Sequence, residues 1–203
     1  MPLDFYDSLL EKRLAALRAD FFPRLPSSGG KSLTIELGCG HGHYLTAYAG
    51  ARPEEYCVGL DLLADRIARA ERKAKRAKLD NLAFVQAEAS LFLSALAAVP
   101  ERAPVRRIFV LFSDPWPKRR HWKHRVMQTE LLDLLAGMTE SGASVHFRTD
   151  HPDYFGYARD VVAAHGAWRL ATPEEAPWPF EHLSVFEERA LAGVPQSLTA
   201  LRR

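Results

Sequence analysis

Leu33-Thr34-Ile35-Glu36-Leu37-Gly38-Cys39-Gly40-His41-Gly42 decides the fold of this 203-residue chain. Five strand-forming residues run straight into three glycines at alternate positions. A strand at 33–37, a tight turn and a helix from about residue 43 are therefore expected. Glycine lets the backbone turn sharply and approach a ligand closely.

Outward from this turn, strand-like and helix-like segments alternate. Strands are expected at 56–60, 82–86, 107–112 and 143–148, with further strand-like patches near 167–171 and 185–190. Helices are expected at 64–78, 91–99, 126–138 and 153–164. The run Arg-Ile-Phe-Val-Leu-Phe at 107–112 is the most apolar strand and reads as central, since parallel strands buried on both faces are continuously apolar. Alternating βα units predict a Rossmann-like, doubly wound, mostly parallel sheet of seven strands with helices on both faces. Ligands of such sheets bind at the carboxyl ends of the strands. Residues 3–20 repeat apolar positions at helical spacing, and Pro23, Pro26 and Ser27–Gly30 mark a linker. The expected organisation is thus an N-terminal helix and linker at 1–30 and one catalytic-type domain at 31–203.

Bulk composition narrows the class. An apolar fraction of 47% against 26% charged residues suits a globular chain. The net charge of +2 says little about partners, so the placement of charge matters more. Two cysteines, Cys39 and Cys57, are too few for a disulfide scaffold and read as reduced thiols. Neither a signal-peptide pattern nor a bilayer-length apolar run is present, so a cytoplasmic location is expected. His41-x-His43 and His121-x-x-His124 lack carboxylate or thiol partners at metal spacing, so no metal is expected.

The strand ends carry the candidate chemistry. A dinucleotide fingerprint needs glycine at position 43, where this chain has His43. A cofactor without phosphates fits better, and S-adenosylmethionine is the common one. Glu36, before the turn, could attract its cationic amino-acid end. Gly38 and Gly40 would line it. Asp61, 21 residues after Gly40, could accept both ribose hydroxyls, and Glu88 the adenine amino group. The fourth strand runs into Ser113-Asp114-Pro115-Trp116-Pro117, whose prolines hold the chain out of helix. Asp114 and Trp116 are expected over the reacting methyl group. Five Lys/Arg and two His between 118 and 125 suit phosphate contacts. The basic segment 66–78 reads equally as a solvated helix face or an RNA contact. Cys39 is expected to pack rather than react.

Together these residues closely resemble the bacterial tRNA (guanine-N7-)-methyltransferases, from about Leu33 to about Arg189. Phe112-Ser113-Asp114-Pro115-Trp116-Pro117-Lys118-Arg119-Arg120-His121 is similar to that family's Asp-Pro-Trp signature. His146-Phe147-Arg148-Thr149-Asp150 is similar to its strand ending in Thr-Asp, and Ser184-Val185-Phe186-Glu187 to its Thr-x-x-Glu element. The resemblance implies a class I S-adenosylmethionine-dependent fold and methylation of the tRNA variable-loop guanine at position 46. It implies cofactor contacts for Glu36, Asp61, Glu88 and Asp114, and substrate contacts for Lys118, Asp150 and Ser184–Glu187. Asp114 is the candidate catalytic residue. Two departures stand out: Glu88 replaces Asp or Asn, and Ser184 replaces Thr. From spacing alone, Asp150 reads equally as the N-cap of the following helix. The partner expected is tRNA, with the protein a monomer or homodimer. Rival readings are an exocyclic-amine methyltransferase, a non-catalytic RNA-binding module and a nicotinamide oxidoreductase. The missing second proline after Asp114, the intact set of acids and His43 count against them in turn.

Overall fold

The computed structural model describes residues 11–182 and 194–203. Its seven strands are β1 (Ser32–Leu37), β2 (Glu55–Asp61), β3 (Leu82–Gln86), β4 (Val105–Leu111), β5 (Ser144–Thr149), β6 (Trp168–Leu170) and β7 (Gln196–Arg202). They form one sheet in the order β3-β2-β1-β4-β5-β7-β6. The first five are mutually parallel, and β7 runs antiparallel to both β5 and β6. The expected seven-stranded, mostly parallel sheet is what forms, with β4 at its centre.

Alternation along β4 divides the core. Ile108 and Val110 face one layer, and Phe109 faces the other. Helices α1 (His43–Ala51) and α2 (Ala64–Ala77) cover the Phe109 side through Tyr44, Leu45, Tyr48, Ile67 and Ala70. Helices α3 (Ala89–Ala97), α4 (Thr129–Met138) and α5 (Pro152–Ala164) cover the opposite side. There the helical residues 11–21 and the 3-10 turn Phe22–Arg24 add Leu17, Phe21 and Phe22, which close on Phe92 of α3. At the amino end of the sheet, the buried Glu55 carboxylate accepts from Thr34 Oγ1, Tyr48 OH and Arg107, tying β1, β2, β4 and α1 together.

Several element ends shift by a residue or two, and two helix starts and one strand depart from the sequence expectation for reasons visible locally. Helix α3 starts at Ala89 rather than 91 because both Glu88 carboxylate oxygens cap it, accepting from Ser90 N and Leu91 N at 3.0 and 2.8 Å. Helix α4 starts at Thr129 rather than 126. Arg125 and Gln128 have extended backbone, and Met127, in the bend between them, is fully buried. An apolar pair buries equally well from helix or extended chain, so periodicity could not separate the two. Strand β7 was not expected at 196–202. Its only buried apolar residues are Leu198 and Ala200, and its Thr199 Oγ1 pairs with the buried His146 Nδ1 at 3.1 Å. The strand-like patch near 185–190 lies outside the described residues. No helix among the described residues is long and apolar enough to cross a membrane.

Candidate active site

The site lies where β1 and β4 sit side by side at their carboxyl ends, the point at which the strand order reverses. All three glycines after β1 have positive φ, at 76°, 54° and 67° for Gly38, Gly40 and Gly42. They serve two ends. A Cβ on Gly38 or Gly40 would meet no atom within 4 Å, so these two border open space. A Cβ on Gly42 would lie 2.4 Å from the Phe84 ring and 2.8 Å from Ala70 Cβ, so this glycine lets α1 close on α2 and β3. Two substitutions separate the roles. Gly40→Ala is expected to cost about 1–2 kcal/mol for its left-handed backbone and to weaken ligand binding. Gly42→Ala adds overpacking and is expected to cost about 3 kcal/mol or more. Denaturant midpoints check the order; equal losses would contradict it.

The acids around this loop differ in state. Asp61 is locked: Oδ2 accepts from Gly40 N at 3.0 Å, Oδ1 from Leu63 N at 2.9 Å, and Arg66 stands 3.5 Å away. Glu36 is 4% exposed, and its Oε2 has no hydrogen-bond partner among the described residues. Burial, reinforced by the neighbouring Asp61 charge, pushes its pKa up to about 8. A buried polar atom without a partner is unfavourable and stands ready to accept a hydrogen bond. A cationic group would supply the missing donor and the missing countercharge together. Glu88 stands exposed at the end of β3. Its capping bonds leave each oxygen a further lone pair. Next to Asp61, Leu62 and Leu63 are 61% and 48% exposed and form an apolar shelf absent from the sequence expectation. An exposed leucine pair directly after a strand-end acid was its signal. Cys39 is buried, and burial first of all raises its thiol pKa far above the ordinary range, in keeping with packing.

After β4 the chain takes two left-handed non-glycine residues, Phe112 at φ 49° and Trp116 at φ 44°. Such backbone is unfavourable by about 1–3 kcal/mol per residue and persists only where its surroundings fix it. Several bonds do so here. Phe112 N donates to Arg148 O at 2.8 Å, and Ser113 Oγ lies 3.3 Å from Tyr154 OH. Arg125 Nε donates to Pro115 O at 2.8 Å. Between these ties Asp114 is exposed and makes no hydrogen bond or ion pair with a described residue. The Trp116 ring is 36% exposed and lies 5.1 Å from the His124 ring and 5.8 Å from that of His121.

The glycine turn with its buried acid thus lies beside an exposed aromatic loop, and comparison with known proteins finds relatives by sequence and neighbours by fold. A family profile described as “Putative methyltransferase” matches residues 30–192. A protein of Caulobacter sp. (strain K31) named tRNA (guanine-N(7)-)-methyltransferase is 32% identical over 91% of this chain and 81% of its own length. One of the same name from Azorhizobium caulinodans is 32% identical over 84% of this chain and 75% of its own. The chain belongs to the tRNA (guanine-N(7)-)-methyltransferase family. The fold is that of class I methyltransferases: the crystal structure of the 16S rRNA methyltransferase KamB superposes with a TM-score of 0.57 at 20% identity, over 91% of this chain and 93% of that one.

The family's Asp-Pro-Trp loop continues here into a 3-10 helix, Arg119–His124, with Lys118, Arg119, Arg120 and Lys123 exposed. Arg125 departs from the expectation for a basic run. It is 3% exposed, with its guanidinium carbon 4.3, 4.8 and 4.9 Å from the ring centres of Trp122, Tyr157 and Tyr154. It holds Pro115 in place rather than meeting phosphate. Arg125→Ala is expected to lower stability by about 2–4 kcal/mol, through an emptied aromatic cage and an unpaired carbonyl. A urea midpoint equal to that of the unaltered protein would contradict this.

Asp150 follows β5, half-buried and without a partner among the described residues. The capping alternative does not apply. The N-cap of α5 is His151, whose N–H is received by Thr149 Oγ1 at 3.2 Å, and Pro152 opens the helix. Beyond β6 the chain crosses back over the sheet. Arg52 donates to Pro179 O at 3.1 Å and Tyr44 OH to Phe180 O at 3.2 Å. Arg148 stacks 4.1 Å from the Trp178 ring centre and lies 3.6 Å from Glu181. Ser184, Val185, Phe186 and Glu187 lie outside the described residues.

Proposed function

We propose that the protein transfers a methyl group from S-adenosylmethionine to N7 of the variable-loop guanine at position 46 of tRNA. One observation carries the reading: a buried, unpartnered Glu36 and an exposed, unpartnered Asp114 flank the switch point of the sheet, in a chain whose relatives are named for guanine-N7 methylation of tRNA.

The residues present suit the cofactor. Glu36 would take its ammonium group, and Gly38 and Gly40 would let the backbone lie against it. Asp61 would receive the ribose hydroxyls, Leu62 would cover a face of the adenine, and Glu88 would accept from its amino group. When bound, S-adenosylmethionine supplies an electrophilic methyl group on a sulfonium.

Guanine N7 carries a free acceptor lone pair, so no side chain has to remove a proton before bond formation. The protein's task is alignment and charge. Asp114, on backbone tied at Phe112, Ser113 and Pro115, would stabilise positive charge as it develops on the purine ring. Trp116 offers a flat face for a base. Asp150 would accept from guanine N1–H and the exocyclic amine, selecting guanine over adenine, and Lys118 would hold a phosphate. The resemblance assigns Ser184, Val185, Phe186 and Glu187 to the same substrate.

A tRNA transcript carrying 7-deazaguanine at position 46 tests the site. It is expected to bind yet accept no methyl group, while the matched guanine transcript accepts one. Equal methylation of both would contradict the reading.

A further inference from the structure

Residues 66–78 hold seven Lys/Arg against one Glu, in a chain whose total charge is only +2. The rest of the molecule is therefore net acidic. Helix α2 buries Ile67, Ala70 and Ala74. Arg69, Arg72 and Arg76, three and four residues apart, line up along a different face. All three are exposed, and none pairs with an acid among the described residues. Several arginines elsewhere on the surface do pair with an acid: Arg52 with Glu54, Arg106 with Glu140, Arg159 with Asp160 and Arg169 with Glu175.

Like charges at this spacing are mutually destabilising by a few tenths of a kcal/mol per pair. The helix dipole offsets that for Lys75 and Arg76 in the last turn. It does nothing for Arg69 and Arg72. The stripe also has a fixed inner edge on the cofactor loop. Lys73 Nζ donates to His41 O at 3.0 Å, and Arg66 reaches Asp61. An unpaired cationic row leading away from the rim of the site is suited to a polyanion that enters there.

We propose that Arg69, Arg72 and Arg76 form a second docking surface for the tRNA sugar-phosphate backbone, separate from the loop at 118–125. The proposal rests on the reading of tRNA as substrate. Contacts of this kind position the nucleic acid without reading its sequence. Their signature is salt dependence, because each neutralised phosphate releases counterions.

The test is the triple variant Arg69→Gln, Arg72→Gln, Arg76→Gln, with the matching triple lysine variant as control. Unmodified tRNA binding is measured across a salt series, with cofactor affinity and kcat at saturating tRNA alongside. The glutamine variant is expected to keep its cofactor affinity and kcat. Its tRNA Kd is expected to rise about tenfold or more near 0.1 M salt, and the slope of log K against log salt to fall by about 2–3. The lysine variant is expected to behave as the unaltered protein. A glutamine variant with unchanged Kd and slope, in a protein that methylates tRNA, overturns the stripe alone. An unaltered protein that methylates no tRNA overturns the reading of function and the stripe with it.

Discussion

Glu36→Gln is expected to weaken S-adenosylmethionine binding by at least about thirtyfold, the consequence of removing one partner of a buried charge pair, while making the free protein more stable at alkaline pH. The sign follows from linkage. The folded pKa of about 8 lies above the ordinary 4.5, so the folded state holds a proton that the unfolded chain has released. The stability this acid contributes is complete below pH 4.5 and is lost as pH rises through 8. Glutamine mimics the protonated acid at every pH. The variant should therefore match the unaltered protein near pH 4.5 and exceed it by a few kcal/mol near pH 9. Urea midpoints at the two pH values measure this, and a difference independent of pH would refute it. Cofactor affinity of the unaltered protein should in turn rise with pH towards 8, because an ammonium ligand selects the carboxylate and displaces its proton.

Asp114→Asn is expected to cut the methyl-transfer step by about 10²–10³-fold, the loss seen when one electrostatic partner of a transition state is removed. The side chain is exposed and bonded to no described residue, so stability should move by no more than about 0.5 kcal/mol. Single-turnover transfer separates chemistry from product release. A near-normal single-turnover rate would remove Asp114 from the mechanism. Asparagine keeps the shape and the hydrogen-bonding reach of the acid, so a large loss would isolate its charge.

Much of this arrangement was legible in the sequence because strong signals coincided there. Glycines 38, 40 and 42 fixed the first turn, and Glu36, Asp61, Glu88 and Asp114 each fall at or just after the carboxyl end of one of β1 to β4. Long apolar runs identified β1, β2 and β4. Roles that depend on partners remote in sequence were not legible. Arg125 looked like one more cation of a basic run, yet it is buried among Trp122, Tyr154 and Tyr157, two of which lie on α5. Glu88 looked like a ligand residue, and its capping bonds appeared only once the start of α3 was known. Asp150 was ambiguous until His151 proved to be the N-cap. Strand β7 escaped because two of its three buried positions, Thr199 and Ala200, are polar or small, and Thr199 is satisfied across the sheet by His146 of β5. The unpaired state of Glu36 is likewise a property of the assembled interior, which no spacing reveals.

Incubating the protein with methyl-labelled S-adenosylmethionine and unmodified tRNA, then digesting the product to nucleosides, tests the proposed reaction most directly. Label is expected in 7-methylguanosine and nowhere else. Label on an exocyclic amine, or cofactor binding without transfer to any tRNA, would contradict it.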